Sequence, residues 1–458
     1  MAPRLLGPIS WALRIMKARL RGLKTSSPLL EAVRDTLWAS TSDCRVITVM
    51  SPTKRITFFK FLESLLTFKP SKSETNAIFI HRTGTALVPG PLTRKCNNMD
   101  CSCLISVSQI SSYTTNWEAY ASLITQIFNT NGISVKYQGA IFCCDTNWLK
   151  AIPLYIDNTT SQLWSISIHS YAQDNGNLAN LLTKNIAPYN PSLYGLSTAK
   201  ANGLQYWMGE SGSVAGLYSV NVSDTFGGGL WAIDWTFTAA AYGYEAISYH
   251  GIGAMIPSIV YMPWSAGNPF TIYPLYYAML AFSRTIGGSN AYIWPQGPHL
   301  NVTSTQPQVS VWSTVDSVTG LRKVIINHRN ITSGVPNAQV IINFTSTTTT
   351  YFSNAVLFYF EAPSGTSKTG VKLAGQTFEG SLDGTIQGTR TTFNLTTSGN
   401  NTWVFTMQPA RTAFITFCPT SNSEPCGGQT NPSSSDAKRT TSWTSSLLLL
   451  WEELCTGF

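Results

Sequence analysis

Glu210 leaves an apolar run, Trp207-Met208-Gly209, and is followed by Ser211-Gly212-Ser213. Neighbours that small do not screen a carboxylate from a ligand. A carboxylate in that position can act as a nucleophile or a base. A retaining glycoside hydrolysis, for example, needs one ionised carboxylate as nucleophile and one protonated carboxyl group about 5–5.5 Å away as acid/base. The same residue can equally cap the next element or pair with a basic side chain. His169, Tyr171 and His250 each close a strand-like run of their own. At such ends a polar ring can hydrogen-bond a ligand or orient a carboxylate. It can also be a satisfied rim histidine or a buried tyrosine. Trp231 and Trp235 fall in a helical stretch and are expected in the core rather than as sugar platforms. Cys96, Cys101 and Cys103 lack a fourth ligand at finger-like spacing, so no metal is expected, and no organic cofactor is implied.

These residues need elements to hold them. Val135–Cys143, Leu163–His169, Leu204–Glu210 and Glu245–His250 are near-continuous apolar runs, the pattern of parallel strands buried on both faces. Helical stretches lie between them. Trp117, Tyr120, Ala121, Ile124, Ile127 and Phe128 recur at helical spacing, and Asp224–Tyr242 is a second helix with Ser223 or Asp224 as its cap. The strand ends Cys144-Asp145, His169-Ser170-Tyr171, Glu210-Ser211 and His250-Gly251 then gather at one mouth, where a (β/α) barrel keeps its reactive groups. Cys143 and Cys144, inside an apolar run, are expected as core.

Further along, Val309–Val315, Val324–Asn327, Gln339–Phe344, Ala355–Tyr359, Thr391–Leu395 and Trp403–Met407 are short, β-branched and separated by turns, which predicts an antiparallel sandwich. The expected fold class is α/β plus all-β, a partial (β/α)8 TIM-type barrel followed by a C-terminal antiparallel β-sandwich. The expected divisions are an atypical basic lead-in over 1–112, the barrel segment with Glu210 over 113–300, the sandwich over 301–418 and a polar tail over 419–458.

Composition excludes several alternatives. Of the 458 residues 43% are hydrophobic and 12% aromatic, too many for a chain disordered throughout. No apolar run is long enough to span a bilayer as a helix. The net charge of +8 is uneven: residues 1–100 hold 16 Lys/Arg against 6 Asp/Glu, whereas the remainder holds 14 against 16. The basicity thus belongs to the lead-in, and no aromatic-interleaved basic module points to nucleic acid. Glycosylation sequons stand at Asn158, Asn221, Asn301, Asn330, Asn343, Asn394 and Asn400 and suit an extracellular protein. The nine cysteines are an odd number, and Cys418 and Cys426 flank a polar loop they could close. The start is a poor secretory leader, because Arg14 interrupts its apolar stretch and Lys17, Arg19 and Arg21 follow. Leu447–Trp451, with Glu452 and Glu453 behind it, is too short for a lipid-anchor signal.

Gly209-Glu210-Ser211-Gly212-Ser213-Val214, then Val222-Ser223-Asp224-Thr225-Phe226 and Leu230-Trp231-Ala232-Ile233-Asp234, resembles glycoside hydrolase family 79. Its members include β-glucuronidases and, more distantly, heparanases. Phe142-Cys143-Cys144-Asp145 and Ile168-His169-Ser170-Tyr171 match earlier strand ends of that family. Ser248-Tyr249-His250-Gly251 and Pro274-Leu275-Tyr276-Tyr277-Ala278-Met279-Leu280 match the end of that family's barrel, and the resemblance runs from Tyr113 to Cys418. It implies retaining hydrolysis of β-linked glucuronic acid in a glycan, with Glu210 as nucleophile and His169, Tyr171 and His250 at the substrate. It implies no cofactor. The family's acid/base sits in an Asn-Glu-Pro motif, which this sequence lacks; between Glu74 and Asp100 there is no Asp or Glu, and Glu118 lies within a helix. The first hundred residues do not resemble the first half of that barrel either. Either the lead-in is foreign to the enzyme, or the chain has lost its acid/base; both predict impaired hydrolysis. The alternative function is a non-catalytic carbohydrate-binding or vestigial protein.

Overall fold

The computed structural model describes residues 79–80, 85–87 and 108–419, apart from short stretches at 131, 133, 144–145, 185–186, 216–217, 251–258, 262–270, 287–290, 298, 317–320, 346–351 and 400. In chain order the first part comprises β1 (Phe79–Ile80), β2 (Thr85–Leu87), α1 (Ser108–Thr130), β3 (Lys136–Cys143), α2 (Thr146–Lys150), α3 (Ile152–Thr159), β4 (Leu163–Tyr171), α4 (Leu178–Thr183), α5 (Leu196–Ala201), β5 (Gln205–Gly212), α6 (Phe226–Tyr242), β6 (Ala246–Tyr249), β7 (Val260–Tyr261), β8 (Thr271–Ile272) and α7 (Pro274–Ile286). The second part comprises β9 (Ala291–Pro295), β10 (Leu300–Ser304), β11 (Val309–Asp316), β12 (Arg322–His328), β13 (Ala338–Phe344), β14 (Phe352–Glu361), β15 (Lys372–Leu373), β16 (Phe393–Thr396), β17 (Thr402–Met407) and β18 (Arg411–Pro419).

Strands β1 to β6 form one sheet in sequence order. From β2 to β6 every pairing is parallel; β1 alone runs antiparallel to β2. Two short strands of the lead-in therefore extend the sheet beyond β3, and the four expected strands are all present. Parallel neighbours need crossovers, and the helices that supply them cover the sheet with apolar side chains. Ile166 and Ile168 of β4 and Tyr206 and Met208 of β5 are fully buried. Among the described strands the sheet does not close on itself.

Helix α6 is buried from Phe226 to Ala239, all round rather than along one stripe. A helix apolar on every face needs a covering layer on each side, and here the second layer is antiparallel sheet. One sheet runs β15-β14-β18-β12-β11-β9 with β16 on β14, the other β10-β13-β17. Between the two lies a separate core of Val324, Ile326, Val340, Ile342, Trp403 and Phe417, which makes this part the expected sandwich. Its first strand, β9, begins at Ala291, ahead of the boundary expected at 301. Strands β9, β10, β15 and β18 carried no expectation from sequence.

The outer face of the seven-stranded sheet continues the first core. Phe237 stacks on Trp312 at 6.2 Å, Phe226 meets Phe360 at 4.7 Å, and Tyr277 meets Phe378 at 5.0 Å. Polar groups lock the same seam. Asp234, 1% exposed, pairs with Arg329 at 2.7 Å and accepts from Trp312 Nε1 at 3.0 Å and from the Ser310 hydroxyl. Burial pushes the Asp234 carboxyl up, while the guanidinium and these donors pull it down. Arg329 also donates to the Leu182 carbonyl, and Asn327 donates to the Leu230 carbonyl at 2.9 Å.

Two expectations need correction. Cys143 is half-buried and disulfide-bonded, not a free thiol of the core. Helix α6 is capped by neither Ser223 nor Asp224 but by Thr225, whose Oγ1 accepts from the Gly228 amide at 3.4 Å. Ser223 instead accepts from the Ser219 amide at 3.0 Å and bonds the Ser213 hydroxyl at 2.8 Å, and Asp224 is committed to Lys368. Cys96, Cys101, Cys103, Cys144, Cys426, the sequon at Asn400, the start of the chain and its polar tail lie outside the described residues. Among the described residues no helix is long and apolar enough to cross a membrane, and no cluster of metal-ligating side chains occurs.

Candidate functional site

Parallel register decides which side chains meet. Cys143 pairs with His169, His169 with Glu210, Ser170 with Ser211 and Ser211 with Tyr249, so the strands end level with one another. Between β4 and β5 the register slips: Ile168 faces Met208, but His169 faces Glu210, which leaves Gly209 as an extra residue. Such a bulge re-aims the side chain that follows it. A Cβ on Gly209 would lie 1.9 Å from Ser167 Oγ, so any larger residue there requires the serine side chain to shift. Gly209→Ala should therefore cost about 1–3 kcal/mol by overpacking. Adding Ser167→Ala should recover part of that loss in urea unfolding, whereas additive effects would show that the bulge tolerates the methyl by another route.

The strand ends are fastened from behind by α6. Trp235 Nε1 donates to Ser211 Oγ at 2.8 Å, and Thr236 bonds the Tyr249 hydroxyl at 2.6 Å. Trp231 and Trp235 are thus core residues, as expected, with the Trp235 indole also bracing the strand that bears Glu210. Backbone bonds extend the order past the strands, from the Ala172 amide to the Gly212 carbonyl and from the His250 amide to the Ser211 carbonyl at 2.8 Å.

At the mouth, the Tyr171 hydroxyl donates a hydrogen bond to Glu210 Oε1. Burial, and then the adjoining carboxylate, push the Tyr171 phenol far up, so it remains a donor at any ordinary pH. His169 Nδ1 stands 3.8 Å from Glu210 Oε2, too far for a hydrogen bond. Burial pushes the His169 imidazole down, Glu210 opposes that, and His250 adds to the depression. His169 is consequently a neutral ring at pH 7. The side chains of His169 and Glu210 are 18% and 31% exposed, so the carboxylate reaches solvent rather than lying in a sealed core. All four residues singled out from sequence, Glu210, His169, Tyr171 and His250, are brought to this one mouth. One oxygen of Glu210 is held by Tyr171; the other accepts no hydrogen bond among the described residues. Such an arrangement supplies an oriented carboxylate with a free lone pair beside the His169 imidazole.

A second polar cluster borders the start of α6 and was not foreseen. Lys368 Nζ lies 2.6 Å from Asp224 Oδ2, which also accepts from the Tyr218 hydroxyl at 2.9 Å. The same loop of the sandwich sends the Ser367 carbonyl to the Phe226 amide and the Gly365 carbonyl to the Gly227 amide, both at 2.7 Å. No local signal links residues so distant in sequence.

No family model and no curated protein matches the chain. Among solved structures, the fold is similar to that of a 4-O-α-L-rhamnosyl-β-D-glucuronidase from Fusarium oxysporum 12S, solved with Rha-GlcA. The TM-score is 0.51 and the identity 18%, over 68% of this chain and 66% of that one. An α-L-arabinofuranosidase from Thermotoga maritima, solved with arabinose, aligns at a TM-score of 0.43 and 12% identity over 69% of this chain and 62% of that one. The chain thus spans just under two thirds of the length of these structures. At the level of fold, the resemblance to β-glucuronidases read from the strand-end residues is matched by the Fusarium structure.

Proposed function

We propose that this chain is a retaining glycoside hydrolase of β-glucuronidase type, acting on glycans that contain glucuronic acid, and that its parallel sheet is part of a (β/α)8 barrel. The observation that carries the reading is the Tyr171–Glu210 hydrogen bond at the ends of paired parallel strands. With Oε1 held by Tyr171, Oε2 is free to attack the anomeric carbon from the face opposite the departing oxygen. Neutral His169 can donate to or accept from sugar hydroxyls without a competing charge. The glycosyl–Glu210 ester so formed would then be released by water.

The step lacking a partner is protonation. General acid assistance is typically worth about 10²–10⁴ in rate, and no Asp or Glu stands between Glu74 and Asp100 to supply it. Hydrolysis of natural β-glucuronides by this chain should accordingly be slow. A 2-fluoro glucuronide with a good leaving group needs no protonation and should leave its sugar on the peptide that contains Glu210. Mass mapping of the labelled residue tests the reading directly. Label on any other residue, or brisk turnover of an unactivated glucuronide that survives Glu210→Gln, would refute it. In favour of an extracellular glycoprotein, the sequon residues Asn158, Asn221, Asn301 and Asn394 are exposed.

The second reading, a carbohydrate-binding protein without catalysis, draws support from the same missing acid. It predicts sugar binding with no covalent label at Glu210.

A further inference from the structure

The sandwich carries a cleft that shares no residue with the mouth at Glu210. It is lined by Tyr359, Glu361, Lys372, Ala374, Gly375, Thr391 and Phe393, and its cavity measures about 200 Å³. Register explains its origin. Strand β16 pairs with β14 so that Leu357 faces Phe393, which sets Phe393 and Tyr359 on the face that elsewhere forms the inner core of the sandwich. The three-stranded sheet does not extend over this end: Phe393 is 48% exposed, and Lys372 and Thr391 are exposed as well. The two rings meet at 5.7 Å to form an angled wall in a cleft whose other lining side chains include Glu361, Lys372 and Thr391.

Around that wall stand charges with fixed geometry. Arg411 Nη2 lies 2.6 Å from Glu361 Oε2, and its guanidinium sits 4.5 Å from the centre of the Tyr359 ring. Glu361 is thereby neutralised and Arg411 immobilised, with donors remaining on its planar fork. Lys372, by contrast, has no ion-pair partner among the described residues. The cleft is therefore lined by two aromatic rings, the Glu361 carboxylate and the Lys372 ammonium, while Arg411 lies outside that lining against Glu361 and the Tyr359 ring. Aromatic faces accept the C–H side of a pyranose, planar charged groups bond its hydroxyls, and the free ammonium asks for an anion. The volume falls below the roughly 300 Å³ at the lower end for whole drug-sized ligands, which suits one ring of a longer chain.

We propose that this cleft is a second glycan subsite, holding one uronic acid ring of an acidic oligosaccharide. Tyr359 and Phe393 form its platform, Glu361, held in place by Arg411, bonds the hydroxyls, and Lys372 pairs with the carboxylate. The choice of a uronic acid agrees with the function proposed above, but the cleft's own charge supports it independently.

The test is calorimetric titration of the full chain with a β-1,4-glucuronan hexamer and with cellohexaose, which differ only in the oxidation of C6. The acidic hexamer should bind more tightly. Phe393→Ala should weaken its binding about tenfold, and Lys372→Gln about three- to fivefold, with cellohexaose unaffected by the second change. Lys372→Glu should weaken the acidic ligand further. Both side chains replaced are exposed, so labelling at Glu210 should proceed at the rate of the parent chain. Failure of the acidic hexamer to bind would overturn the proposal, as would binding indifferent to Phe393→Ala and Lys372→Gln. Equal or tighter binding of cellohexaose would overturn the uronic acid assignment. Hexamer binding that responds to these variants in a chain that never labels at Glu210 would leave the subsite standing and remove the proposed hydrolysis.

Discussion

Glu210→Ala should abolish turnover of an activated aryl β-glucuronide, a loss of about 10⁴-fold or more for removal of a nucleophile. Added azide should then restore consumption of the substrate. With the carboxylate gone, azide enters the vacated space opposite the leaving group, so the product should be the α-glucuronosyl azide. The unaltered chain should behave in the opposite sense. There Glu210 forms the ester, but no carboxylate deprotonates water to release it. Azide needs no general base, so it should accelerate release and give the β-glucuronosyl azide after two inversions. NMR of the product distinguishes the two anomers. An α product from both chains would mean that Glu210 never forms the ester. A chain whose release is already fast and unmoved by azide would mean that a base is present after all.

The other large effect concerns stability. Arg329→Leu should destabilise the protein by about 3–5 kcal/mol, because it leaves the buried Asp234 carboxylate without its counter-charge. Asp234→Leu combined with Arg329→Leu should cost less than Arg329→Leu alone, since no uncompensated charge then remains. Urea unfolding of the two variants checks the order. If the double variant were the weaker, the pair would be contributing net stability beyond its own desolvation.

Much of the parallel part was legible because its strands are buried on both faces. A near-continuous apolar run such as Leu163–His169 or Leu204–Glu210 needs no partner to identify it, and its polar terminus marks the mouth. Glu210, His169, Tyr171 and His250 were visible for that reason. What the sequence could not convey is the bonding between distant segments. Asp224 has the composition of a helix cap, and only the approach of Lys368 from the sandwich takes it away from that role, leaving Thr225 to cap the helix. Cys143 sits in an apolar run and resembles a core residue, because a disulfide depends on a second cysteine whose position is not local. The bulge at Gly209, which aims Glu210, follows from the register of β4 against β5 and from nothing in β5 alone.

The first two backbone amides of α6 are spent on carbonyls of residues 365 and 367, and its middle is clasped by Asp234 and Arg329. This has a bearing on how such chains can be recombined. A splice at the visible change from helical to strand-rich sequence, near Ala291, would hand the recipient a sheet whose apolar outer face expects this particular helix. It would leave the donor with a helix whose first amides are orphaned. The exchangeable piece is α6 together with the seven-stranded sheet, and a graft that respects that seam should stay soluble where one cut at 290 aggregates.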